Sequence, residues 1–470
     1  MPFKLFQTRP GYYYVYDMNK NSIFKLNETQ YRELQSVNNS GNHNPSVLSE
    51  FNAKGLLLES QIKKIEHPAT KHVEHQLKRC ISSITLQMTQ DCNLRCAYCP
   101  YSENGIYASR SRSSARIGWG TVKAGIDFLV ANSMDADKLH IAFYGGEPML
   151  EKDLIVRAMK YAASKISTKP LSFGMTTNGT LLEHDFLSEA SIYDFEIIIS
   201  LDGQQETHDM NRPYPDGKGS FDGILKNVDL LRMNFPKLYD KLSFNTVLNP
   251  KRDCAEVYKF FKQNPEGVEY SKIRFNELSE NYTDEKFSYD KAYLTEKNFE
   301  SLKAFLILIG RLDKKSSFEH KEIFEWVYSY KEIFVSQKSA PPISHPNGTC
   351  IPGQKKLFID IHGNFYPCER INEVSPLMNI GNLNEGFDIE KVRKVLNVGT
   401  VTENACKDCW AFYCCNMCPI SCDNGIDEHY SAEYKLSKCK KVKSSALEML
   451  KNYAMLKEFK FEFDVERIKT

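Results

Sequence analysis

Cys92, Cys96 and Cys99 stand in the segment CNLRCAYC at the spacing C-x-x-x-C-x-x-C, and that spacing constrains the fold more than any other feature of the chain. A cubane of four irons and four sulfides normally takes four thiolates, so a tight loop that offers three leaves one iron open to a small-molecule ligand. A zinc knuckle is the competing use of close cysteines, but zinc needs a fourth Cys or His to close its tetrahedron, and residues 100–119 supply neither. The loop follows an alternating run in which Ile84, Leu86 and Met88 point one way and Thr85, Gln87 and Thr89 the other. That period of two predicts a strand with its apolar side inward, its polar side outward and the cysteine loop at its end.

The length of 470 residues allows two or three domains, and a hydrophobic fraction of 41% is ordinary for a globular protein. Lys plus Arg (61) nearly balance Asp plus Glu (60), so no global field favours nucleic acid or an anionic membrane. The N-terminal run MPFKLFQTRPGYYYVYD has no apolar stretch of signal-peptide length, and no segment is apolar enough to span a bilayer, which gives a cytoplasmic expectation. In a reducing compartment fourteen cysteines are better explained by metal ligation than by disulfides. Cys80 and Cys254 stand apart from the dense groups and read as buried apolar thiols.

Residues 1–65 read as a small separate unit. A strand at Tyr12 to Tyr16, a turn at Asn19, Lys20 and Asn21, and a strand at Ile23 to Leu26 make a hairpin. Asn27 is placed to cap a helix, a second helix runs from Ser46 to Ala53 and stops at Gly55, and Leu56 to Leu58 reads as a closing wing strand. Over 80–330, strands are expected at Ile84 to Met88, Leu139 to Tyr144, Leu171 to Met175, Phe195 to Ser200, Ser243 to Leu248 and Lys272 to Phe275, with room for crossover helices between them. Six such units predict an α/β fold, a partial parallel barrel whose chemistry sits at the carboxyl ends of the strands. The Pro-rich run from Ala340 to Gly348 breaks helix and marks a boundary.

CNLRCAYC, with Tyr98 before its last cysteine, resembles the signature of radical S-adenosylmethionine (SAM) enzymes. Gly145-Gly146-Glu147-Pro148 after the second strand resembles the family's GGEP motif, in which backbone and carboxylate receive the amino group of SAM. The glycines would permit that close approach. Thr176-Thr177-Asn178-Gly179 and Ser200-Leu201-Asp202-Gly203, with His208-Asp209-x-x-Arg212 beyond, resemble the stretches that hold the ribose and methionine carboxylate. The resemblance therefore implies SAM and a 4Fe–4S cluster as cofactors, with Tyr98, Gly145, Gly146, Glu147, Pro148, Thr176, Asn178, Ser200, Asp202 and Arg212 around them.

Beyond the boundary, Cys350 is followed by Gly363-x-x-x-x-Cys368, then Cys406-x-x-Cys409, Cys414, Cys415, Cys418, Cys422 and Cys439. This resembles the SPASM extension, which implies two auxiliary 4Fe–4S clusters. The family's fourth place in the cysteine run would be residue 419, which here is Pro419. The implied assignment puts Cys406, Cys409, Cys415 and Cys439 on one cluster, and Cys350, Cys368 and either or both of Cys418 and Cys422 on the other. Cys414 is left as a non-ligand. A pair of zinc ribbons is the alternative reading.

The whole resembles a maturase of ribosomally synthesised peptides: a winged-helix-like recognition domain (1–65), a partial (β/α)6 TIM-like radical SAM barrel (80–330), a SPASM domain (340–445) and a helical tail (446–470). The implied partners are a precursor peptide, whose leader the N-terminal domain would bind, and a flavodoxin- or ferredoxin-type reductant, with no nucleic acid or membrane. The run CKDCWAFYCCNMC is similar to thioether-forming maturases of the ranthipeptide, freyrasin-type or sactipeptide kind. Sulfatase maturases share the architecture but carry an Asp base where this chain has Glu369, followed by Arg370. Oxidation of the sulfatase-maturase type, epimerisation, carbon–carbon crosslinking and a non-catalytic metal-binding peptide scaffold remain as alternatives.

Overall fold

The computed structural model describes residues 1–40, 46–101, 110, 112–263, 265, 267–269, 272–281, 283, 287–317, 320–336 and 341–463. The N-terminal unit opens with an antiparallel meander of β1 (Phe3–Arg9), β2 (Tyr12–Asp17) and β3 (Ser22–Leu26). Alternation along β2 divides its contacts between two cores. Val15 joins Phe3, Leu5, Leu26, Leu34 and Val47 under the helices Glu28–Ser40 and Ser46–Ala53, whereas Tyr14 and Tyr16 face Phe412, Tyr413, Leu450 and Ala454 of the C-terminal region. Asn27 caps the first helix. Its Oδ1 accepts from the Gln30 amide at 2.8 Å while Gln30 Oε1 accepts from the Asn27 amide at 3.0 Å, a reciprocal capping box.

The wing strand expected at Leu56 to Leu58 does not form, and the N-terminal unit is a three-stranded meander with two helices. Leu57 lies at φ +54°, and its amide donates to Asp17 Oδ2 at 2.8 Å. Asn19 Nδ2 donates to the carbonyls of Leu58 and Glu59 at 2.9 and 3.0 Å. Side chains of the β2–β3 turn thereby take backbone groups that a ladder would have used. The third strand is instead β1, whose apolar Phe3 and Leu5 carried the signal. Farther on, β4 (Lys64–Ile65) leads out of the unit.

The middle segment forms β5 (Ser83–Thr89), β6 (Leu139–Gly145), β7 (Leu171–Thr177), β8 (Asp194–Ser200), β9 (Ser243–Leu248) and β10 (Ile273–Glu277). They lie in sequence order and pair in parallel, as the six expected units require. Helices Trp119–Ala131, Lys152–Lys165, His184–Ala190, Phe221–Asn234 and Ala255–Lys262 make the crossovers. Ile84, Leu86 and Met88 are fully buried in the main core, each contributing about 1.5–3 kcal/mol of burial free energy. Their polar alternates do not reach solvent. Thr85, Gln87 and Thr89 are buried too, because a parallel sheet is covered on both faces, and the polar side looks into the hollow of the sheet.

The sheet does not stop where the cysteine-rich region begins. Past β11 (Ile343–Ser344), which pairs in parallel with β4, the strand β12 (Leu357–Ile359) pairs in parallel with β5. Then β13 (Asn364–Tyr366), β14 (Gly381–Asn382) and β15 (Gly386–Phe387) extend it as antiparallel hairpins, giving ten strands in all. The boundary expected at 445/446 falls inside one continuous helix, Ala432–Glu458, capped by Ser431. Its far end returns to the N-terminal unit, where Glu458 accepts from Thr8 and Tyr14 at 2.6 and 2.8 Å and pairs with Arg9 at 3.2 Å.

Candidate active site

Parallel β5 and β6 end side by side, which puts the cysteine loop next to Gly145-Gly146-Glu147-Pro148. Gly145 takes φ +137°, and a Cβ there would collide with the Thr89 carbonyl; one on Gly146 would collide with that of Asp91. The freed space is used by backbone. Gly146 N donates to Thr89 O and Glu147 N to Asp91 O, both at 2.8 Å, so the glycines root the cysteine loop rather than merely opening room for a ligand.

The Glu147 carboxylate also makes contacts within the protein. It is fully buried and accepts from Thr177 Oγ1 at 2.6 Å, Asn178 N at 2.7 Å and Met149 N at 3.0 Å. Burial raises its pKa, and the bonds from Thr177, Asn178 and Met149 oppose that shift. This carboxylate clamps the end of β6 to the end of β7. Thr177 is the threonine that bonds it. Asn178 then reaches the loop itself, with Nδ2 2.7 Å from Asn93 Oδ1 and 3.8 Å from Cys92 Sγ.

The opposite side of the loop is held from β8. Asp202 is fully buried and accepts from Arg212 Nε at 3.1 Å, Val247 N at 3.1 Å, Asn211 Nδ2 at 3.4 Å and the Tyr98 hydroxyl. Arg212, 6% exposed, presents Nη1 3.9 Å from Cys96 Sγ and its guanidinium 5.3 Å from the Tyr98 ring. Burial works against its charge, but Asp202, Tyr98 and Cys96 outweigh that and raise its pKa. Ser200 is buried beside this group on β8, and Pro148 opens the turn after Glu147.

His208 braces the same corner. Its Nδ1 accepts from Asp202 N at 3.2 Å, so the proton of the neutral ring sits on Nε2, 3.0 Å from Ser220 Oγ. Burial, then the Arg212 charge, pushes its pKa down to about 4; burial does the same for His345, also to about 4. As pH falls below the ordinary histidine value, the unfolded chain binds these protons and the folded chain does not. Stability is therefore full above pH about 6.5 and declines toward pH 4, by up to about 3 kcal/mol per histidine. Urea midpoints at pH 7 and pH 5 measure the drop. It shrinks in His345→Gln, and an unchanged drop in that variant contradicts the assignment.

Burial pushes the Cys92 and Cys96 thiols up to about 12 and raises Cys99 as well. On Cys92 the Glu147 charge adds to the rise; on Cys96 the Arg212 charge opposes it. Such thiols ionise readily only with a cation among them, so this donor set, three soft ligands in a dry pocket, fits an iron–sulfur cluster.

Two further groups lie beyond β11. Cys406, Cys409, Cys415 and Cys439 line one cavity of about 100 Å³ together with His345 and Lys435. In the other group burial raises Cys368 to about 12, the Glu369 charge adds to it, and the Cys418 and Cys350 thiols are near enough to contribute. Cys422, fully buried, is within electrostatic reach of Cys418 and also of Cys406 and Cys415. Cys414 packs in the apolar cluster of Ala411 and Ala446. Glu369 lies 3.8 Å from both Lys356 and Arg370. Cys254 is buried as expected; Cys80 is not, and lies half-exposed near His75 and Asp135.

Sequence reading also missed a buried tie between loop and hairpins. Arg110 Nη1 lies 2.7 Å from Glu373 Oε1, with Gln87 Nε2 2.9 Å from both oxygens of that carboxylate.

Residues 86–262, which carry most of the parallel strands, the three-cysteine loop at their carboxyl ends and the flanking Glu147, Asp202 and Arg212, match the profile of the Radical SAM superfamily. The protein is accordingly an oxidoreductase-type enzyme with SAM and a 4Fe–4S cluster as cofactors. Among curated proteins, the chain is 26% identical over 302 residues to a cysteine-type anaerobic sulfatase-maturating enzyme of Clostridium novyi, covering 62% of this chain and 74% of that one. It is 24% identical over 372 residues to the enzyme of that kind from Clostridium perfringens, covering 76% and 94%. An uncharacterized protein of Methanocaldococcus jannaschii is 32% identical over 149 residues, 32% of this chain and 48% of that one. The solved structure "Native anSMEcpe with bound AdoMet and Cp18Cys peptide" superposes with a TM-score of 0.58 at 20% identity, over 79% of this chain and 99% of that one, and thus shares the fold.

Proposed function

We propose that this enzyme is a peptide maturase that oxidises a cysteine-rich precursor and joins a cysteine sulfur to a carbon of another residue as a thioether. The observation that carries the reading is the cavity lined by Cys406, Cys409, Cys415 and Cys439, a second thiolate set separate from the Cys92, Cys96 and Cys99 loop. In this proposal that loop holds the SAM-binding cluster. The four thiolates of the cavity hold one auxiliary cluster, and Cys350, Cys368 and Cys418 ligate another, with Cys422 as its neighbour or fourth ligand.

Bound SAM supplies the chemistry of a deoxyadenosyl radical, which removes one hydrogen atom from the peptide. The chain's own part is to hold the peptide and keep water away. Thioether formation removes two hydrogens in total: one as that atom, the other as a thiol proton and an electron, for which the auxiliary cysteines would hold the acceptor. A flavodoxin- or ferredoxin-type protein is the proposed reductant.

Similarity to cysteine-type sulfatase-maturating enzymes supports oxidation of a single peptide cysteine as a second reading. The residue in the base position, Glu369, has two cationic neighbours at 3.8 Å, which weakens its candidacy as a base. A groove of about 440 Å³ supports a peptide partner. Phe3, Lys4 and Leu5 of edge strand β1, Tyr31 and Gln35 of the first helix, and Trp410 beside Cys409 line it, where an extended leader has a strand edge to join.

The test is mass spectrometry of a cysteine-rich peptide encoded beside the gene, co-expressed with the enzyme, with and without its leader segment. A thioether product has lost two hydrogens per bond and resists iodoacetamide after full reduction. One modified cysteine with no second residue attached supports the single-cysteine oxidation. Full alkylation with the same mass loss indicates a carbon–carbon or carbon–oxygen bond. Deuterium uptake at unchanged hydrogen count indicates epimerisation, and processing that is indifferent to the leader removes the recognition role.

A further inference from the structure

Lys435 is 4% exposed, an unusual place for an ammonium, and it lies in the wall of the cavity formed by Cys406, Cys409, Cys415 and Cys439. It sits one helical turn before Cys439 on the helix Ala432–Glu458, so the two side chains share a face. Its Nζ donates to the Val398 carbonyl at 3.0 Å. Among the described residues no carboxylate pairs with it. A buried charge without a counter-charge is strongly unfavourable, and one carbonyl dipole offsets only part of that. The acidic groups close by are the thiols.

We infer that Lys435 sets the reduction potential of the cluster that Cys406, Cys409, Cys415 and Cys439 would hold, its buried ammonium supplying the counter-charge that favours the reduced form. This rests on the cluster assignment proposed above. A cubane with four thiolates is anionic and becomes more so on taking an electron, so a fixed cation in a water-poor wall stabilises the reduced state more than the oxidised one. Lys443 lines the same cavity from an exposed position, where solvent and salt screen it. The two lysines thus make an internal comparison of buried and screened charge at one site.

The experiment is a redox titration, followed by electron paramagnetic resonance, of the anaerobically reconstituted full-length enzyme and its Lys435→Met, Lys435→Gln, Lys435→Arg and Lys443→Met variants, each with its iron content measured. In both neutral Lys435 variants one midpoint moves to a more negative potential while the others stay. At fixed solution potential this is a fall of roughly tenfold or more in the reduced-to-oxidised ratio. Lys435→Arg retains the parent midpoint, and Lys443→Met shifts it less. Full iron with unmoved midpoints in either neutral variant overturns the inference. Loss of iron in both neutral variants but not in Lys435→Arg supports a need for the charge; equal loss in all three shows a packing role and overturns it. A parent enzyme whose iron content is unaffected by Cys406→Ala with Cys409→Ala lacks this cluster, which refutes the underlying assignment instead.

Discussion

Replacing Cys92, Cys96 and Cys99 together with alanine abolishes release of deoxyadenosine and leaves most of the iron in place. The three thiols sit at the ends of β5 and β6, on a loop pinned by backbone bonds to Gly146 and Glu147 and flanked by Asn178 on one side and Arg212 on the other. With the auxiliary clusters proposed above for the cavity behind Lys435 and the group beside Cys368, the expected loss is about four irons of about twelve. Iron analysis and chromatography of the SAM products measure the two quantities. Deoxyadenosine from the triple variant at the parent rate removes the loop from the chemistry. Complete loss of iron means that the three cysteine groups do not assemble independently.

The six parallel strands are legible in the sequence because each carries enough β-branched and aromatic residues between turn signals to stand out locally, as with Phe195 to Ser200 before Leu201-Asp202-Gly203. Motif glycines are legible as close approaches, but not what approaches them: only the register of β5 against β6 reveals that Gly145 and Gly146 meet the carbonyls of Thr89 and Asp91. The wing strand misleads for a related reason. Leu56 to Leu58 is apolar enough for a strand, yet Asp17 and Asn19, some forty positions earlier, take its polar groups. Buried charge is the least legible property. Lys435 reads as one more lysine on a basic helix, and Arg110 with Glu373 as surface residues, until distant segments close over them.

Asp202→Ala lowers stability by about 3–5 kcal/mol, the usual consequence of removing one partner of a buried ion pair. The carboxylate is fully buried and is the acceptor for Arg212 Nε, Val247 N, Asn211 Nδ2 and the Tyr98 hydroxyl, so its loss leaves a buried guanidinium without its counter-charge and several donors without an acceptor. The damage extends to the site. Tyr98 belongs to the cysteine loop and Arg212 faces Cys96 at 3.9 Å, so both lose their orientation and deoxyadenosine production falls with them. Asp202→Asn separates charge from shape: it keeps an oxygen for Val247 or Tyr98, and its smaller penalty, about 1–3 kcal/mol, isolates the ionic part. Tyr98→Phe removes one hydrogen bond and costs about 1 kcal/mol. Urea unfolding of the three variants, read beside their iron content, orders them Asp202→Ala, Asp202→Asn, Tyr98→Phe from most to least destabilised. An Asp202→Ala protein as stable as the parent means that Arg212 finds another partner and that Asp202 does not organise this side of the loop.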